Sequence, residues 1–97
     1  MSDKEDQFWD LVDAFIQRAN DSCEQADASM VSAALLHAAA RFNAFTVAGA
    51  SVDRKEYTEE IEPSLRYLTN QYRDLLRDNL EDYRENYKVY MRSDQDE

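Results

Sequence analysis

The sequence predicts an all-α fold, an antiparallel three-helix bundle in which residues 1–97 form a single helical domain. Three observations carry that prediction. One Gly and one Pro in 97 residues are too few for the many turns of a β-sandwich or barrel. Apolar residues make up 43% of the chain, and they recur at three- and four-residue spacings, the period of one helix face. A chain of this length supports one modest core.

Helix 1 follows from Phe8, Val12, Phe15, Ile16, Ala19 and Cys23, with Asp10, Asp13, Gln17 and Asp21 between them. This pattern predicts an amphipathic helix from about residue 4 to 26. Ser2 with Glu5, or Asp3 with Asp6, supplies the capping pattern at its start, and acids there suit the positive end of the helix dipole. The link Asp27-Ala28-Ser29 is short enough to require that helices 1 and 2 lie antiparallel.

Helix 2 spans about residues 30–48 and is built largely from alanine, with apolar residues on almost every side. Such a helix is expected to be covered by neighbours on more than one face. Gly49 stands where a left-handed C-terminal cap is needed. The stretch is interrupted by His37, Arg41 and Asn43 and contains more Ala than Leu, which makes it a poor membrane span. No membrane association is predicted.

Helix 3 begins either near residue 54, with Asp53 and Glu56 as its cap, or near Pro63, since proline suits a first turn. Tyr57, Ile61, Leu65, Leu68, Tyr72 and Leu76 hold one helical phase across Pro63, which favours a single helix kinked there. The helix runs to about residue 90, and residues 91–97 form an acidic tail expected to be disordered. At 1.5 Å per residue, residues 64–90 alone extend about 40 Å against roughly 30 Å for helix 2. The last turns are therefore expected to project beyond the bundle.

Three stretches carry a family resemblance. They are Phe15-Ile16-Gln17-Arg18-Ala19-Asn20, Ala38-Ala39-Ala40-Arg41-Phe42-Asn43-Ala44-Phe45, and Gln71-Tyr72-Arg73-Asp74-Leu75-Leu76 with Asn79-Leu80-Glu81-Asp82-Tyr83. Together they resemble the short acidic bacterial proteins grouped as domain of unknown function 3144, over roughly residues 7 to 87. The resemblance implies a bacterial, cytoplasmic, helical protein. It brings no activity, cofactor or site residue to transfer.

Charge and composition narrow the function classes. The net charge is -10, from 11 basic and 21 acidic residues, and it repels a phosphate backbone, so no nucleic-acid binding is predicted. An acidic mimic of nucleic acid is a third possibility. Its difficulty lies in helix 3, where Asp74, Asp78, Glu81 and Glu85 are interleaved with Arg73, Arg77 and Arg84, as on an ordinary solvated helix. The single Cys23 cannot close an intramolecular disulfide and suits a reducing compartment. The first residues have neither a basic nor an apolar segment of a targeting signal. Both observations point to the cytoplasm.

No catalytic motif is present. One His and one Cys give no transition-metal ligand set of the usual kinds, and one Gly excludes the glycine-rich phosphate loops. The chain is read as a non-enzyme without cofactor or metal. Two places remain where function could sit. Arg41 is the sole full charge between Ser29 and Val52, and with His37, Asn20 and Asn43 it forms a candidate interhelix polar cluster suited to a small anion or metabolite. Against this stands an ion pair that fixes helix register, or an arginine that reaches the surface.

The second place is the face formed by Leu76, Leu80, Tyr83, Tyr87 and Tyr90. Tyrosine buries a large area at low entropic cost while keeping a polar tip, which suits an interface that must also survive in water. Packing of the same rings within the bundle is the alternative. The predicted role is a protein–protein interaction module, with an unidentified protein or a second copy as partner.

Overall fold

The computed structural model describes residues 3–91, and within them the chain is all-α. Helices α1 (Asp3–Ser22), α2 (Ala28–Gly49), α3 (Arg54–Glu85) and α4 (Tyr87–Tyr90) follow one another, with no strand among the described residues. The caps expected of Ser2 and the acidic tail beyond residue 91 lie outside the described residues. The chain divides into two compact units, Met1–Gly49 and Ala50–Glu97.

In the first unit, α1 opens with Asp3, Glu5 and Asp6 at the positive end of its dipole. It closes at Ser22, four residues short of the end read from periodicity. The reason is local competition for backbone groups. The Ser22 hydroxyl donates to the Arg18 carbonyl at 3.0 Å, and the following amides of Glu24 and Gln25 turn to carbonyls three residues back. Side-chain bonds of this kind offer the backbone an alternative to the helical ladder, and the last turn tightens.

The Val31 amide donates to the Asp27 carbonyl, and α2 begins there. Helices α1 and α2 touch as a helical hairpin. The expected cover on more than one face of α2 is not found, because no described residue of the chain is buried. Within its own unit α2 has α1 alone as a helical neighbour, which covers one flank, and its alanines leave the other flanks apolar. By length and composition α2 is apolar enough to cross a membrane. The left-handed cap expected at Gly49 is also absent, since no glycine has a positive φ and Gly49 is the last residue of α2 itself.

In the second unit, Asp53 is extended (φ -153, ψ -179), and its carboxylate accepts from the Glu56 amide at 2.9 Å. Glu56 Oε1 accepts in turn from the Val52 amide, which completes a reciprocal cap of the expected kind. The helix therefore starts at Arg54 and carries Pro63 in its interior, the first of the two starts read from sequence. Pro63 is exposed, so water can bond the carbonyl that its missing amide leaves without a partner. At 1.5 Å per residue the 32 residues of α3 reach about 48 Å, against about 33 Å for α2.

Helix α3 does not run on to residue 90. It stops at Glu85, and Asn86 (φ -121, ψ 30) separates it from the single turn of α4. The Asn86 side-chain amide donates to the Asp82 carbonyl at 3.2 Å and to the Asp82 carboxylate at 2.9 Å. This local bonding competes with helix continuation.

Candidate functional site

The polar cluster expected between helices is built on the first unit, with Asn20 on α1 and His37, Arg41 and Asn43 on α2. Asn43 is half-buried; Asn20, His37 and Arg41 are exposed. The Asn43 carbonyl accepts from the Thr46 hydroxyl at 2.7 Å, a bond internal to the helix. Among the described residues, no hydrogen bond or ion pair joins the four to each other. Arg41 thus stands at the surface, where water solvates its guanidinium and no partner carboxylate is needed. No group of His, Cys, Asp or Glu able to hold a metal ion occurs among the described residues.

The tyrosine end has more structure. Tyr83 and Tyr90 face each other with ring centroids 4.5 Å apart and planes tilted by 49°. The Tyr90 hydroxyl donates to Asp82 Oδ2 at 2.9 Å. That bond, together with the nearby carboxylate charge, raises the Tyr90 pKa above the ordinary 10.0. The three rings expected on one continuous helix face are therefore divided. Tyr83 belongs to α3, whereas Tyr87 and Tyr90 belong to α4, and the break at Asn86 lets Tyr90 fold back onto Tyr83.

An open groove of about 320 Å³ lies on α3, lined by Arg73, Leu76, Arg77, Leu80, Glu81 and Arg84. Leu76 and Leu80 form its apolar side; Leu80 is 62% exposed. The arginines form the other side, and sequence reasoning missed their alignment. Arg66, Arg73, Arg77 and Arg84 are separated by seven, four and seven residues, which places them within about 40° of one another at 3.6 residues per turn. Their interleaving with acids along the chain hid a one-sign edge that only the helical period reveals.

Three of the four arginines have a local partner. Arg84 lies 3.1 Å from Glu85 and Arg77 lies 3.9 Å from Asp74. Arg73 donates to the Asn70 side-chain carbonyl at 2.9 Å, and Arg66 makes no ion pair among the described residues. The result is a basic, partly apolar groove on a chain of net charge -10.

Comparison with curated proteins and with solved structures finds no match. A family model does match, over residues 8–84, a span that includes the whole groove and ends before α4. The chain belongs to the family described as Protein of unknown function (DUF3144).

Proposed function

We propose that the chain is a non-catalytic, cytoplasmic interaction module that docks a protein through the groove of α3. Leu76, Leu80 and Tyr83 supply the apolar contact, and Tyr90, folded onto Tyr83, extends it. The observation that carries this reading is the groove itself, an exposed leucine pair bordered by arginines. Apolar area at the centre, with charges able to bond carboxylates at the rim, is the anatomy of a protein interface. Arginine and tyrosine are also the residue types that most often anchor one. A small-anion site around His37 and Arg41 is the weaker reading, because both residues are exposed and no hydrogen bond or ion pair among the described residues joins them.

The test is a chain carrying Leu76→Gln and Leu80→Gln, compared with the parent by sedimentation velocity and thermal unfolding. Exposed positions away from packing change stability by no more than about 0.5 kcal/mol. The expected result is loss of association with little change in melting temperature, measured at concentrations where both chains are monomeric. Two monomers that differ in melting temperature by many degrees would make the leucines core residues and overturn the reading.

A further inference from the structure

The groove on α3 has a counterpart on α1. Asp3, Asp10, Asp13 and Asp21 are separated by seven, three and eight residues, and they share one edge of α1 within about 80°. The arginines of α3, at seven, four and seven, repeat this spacing almost residue for residue. Each row extends over about 27 Å at 1.5 Å per residue. Each is also flanked by exposed apolar side chains: Trp9 and Ile16 beside the aspartates, Leu76 and Leu80 beside the arginines. Asp10 and Asp13 make no ion pair among the described residues, and neither does Arg66.

Two amphipathic helices with matched spacing and opposite edge charge are the two halves of a helix–helix interface, in which edge pairs select the partner. We infer that the partner of the α3 groove is α1 of a second copy of this chain. Every chain carries both edges, so a two-fold dimer satisfies both pairings at once, α1 of each copy on α3 of the other. The helical bundle is then completed by helices from two chains. The spacing of both rows is nearly symmetric about its centre, so the charges match with the helices either parallel or antiparallel. The inference rests on the reading of α3 as an interaction surface and names its occupant.

The test is a charge swap read by sedimentation velocity, with circular dichroism on the same samples. One chain carries Arg73→Glu and Arg77→Glu, a second carries Asp10→Arg and Asp13→Arg, and a third carries all four changes. The parent is expected to dimerise, more weakly in high salt. Each two-site variant is expected to lose about 100-fold or more in self-affinity, because like charges then face each other. An equimolar mixture of the two is expected to regain dimer mass and helicity, since each chain supplies the complement the other lacks.

A mixture that stays monomeric while the four-site chain regains stability would place the pairing within one chain and overturn the inference. Two-site variants that dimerise like the parent would also overturn it. A parent monomeric throughout the micromolar range overturns the second copy while leaving α3 free for a foreign protein. The melting temperature of the Leu76→Gln, Leu80→Gln chain then decides the broader reading separately: little change keeps the leucines open to a partner, and a fall of many degrees makes them core.

Discussion

Asp82 holds the tyrosine end together by accepting two side-chain donors, the Asn86 amide on one carboxylate oxygen and the Tyr90 hydroxyl on the other. Both bonds are exposed, so they act on local order more than on global stability. The shifted group is Tyr90, whose folded pKa is raised first by the hydrogen bond to Asp82 and then by the carboxylate charge. A raised folded value means that the clasp is fully present below the ordinary 10.0 of a free phenol. It is lost as pH climbs through the higher folded value. Replacing Asp82→Ala should return Tyr90 to the ordinary range, read as an earlier phenolate absorbance rise in the variant-minus-parent titration. The nuclear Overhauser contacts between the Tyr83 and Tyr90 rings should weaken in the same variant. The tyrosine repeat was visible in sequence; the break at Asn86 was not, because it turns on a contest between one side chain and the helical ladder.

At the scale of single elements, Gly49 and Pro63 behave unlike their usual roles. Gly49 lacks the positive φ that would make it indispensable, and a Cβ built there meets nothing within 4 Å. Gly49→Ala should therefore extend good helix former to the end of α2 and stabilise the fold by about 0.4–1 kcal/mol in chemical denaturation. A left-handed cap predicts the opposite sign, so the measurement discriminates the two conformations. Pro63 was legible as compatible with one helix, since the apolar phase continues through it. The decision fell to the Asp53–Glu56 cap, which nucleates α3 nine residues upstream. The end of α1 was read too late because periodicity continues to Ala26 while the hydrogen bonding has already tightened at Ser22.

For the whole molecule, the charge distribution sets what it can approach. Residues 1–29 carry a net -6 and residues 53–97 a net -5, with Arg41 alone between them. The net charge of -10 repels an anionic surface, and His37 and Arg41 interrupt the apolar run of α2 midway. The chain should remain in the supernatant when vesicles containing phosphatidylserine are sedimented. It should leave duplex DNA unshifted in a gel at low salt, where a basic binder is tightest. Recovery of the chain with the vesicles would make α2 a lipid-inserting helix.

Helix identity was determined by the sequence alone, because propensity, capping and apolar period act over spans of a few residues. A long third helix and the absence of strands among the described residues follow from that locality, whereas the choice between its two possible starts came with the structure. The family, too, follows from the sequence, since the stretches that resemble it lie within residues 8–84. Burial was decided by the tertiary structure, because it depends on which surfaces meet. The expected cover of α2 is missing, Arg41 stands in solvent, and Tyr90 turns back onto Tyr83 through a carboxylate eight residues away. The arginine edge belongs to both levels. Its spacing was written in the chain, and its meaning emerged once α3 was a single helix with Leu76 and Leu80 open beside it.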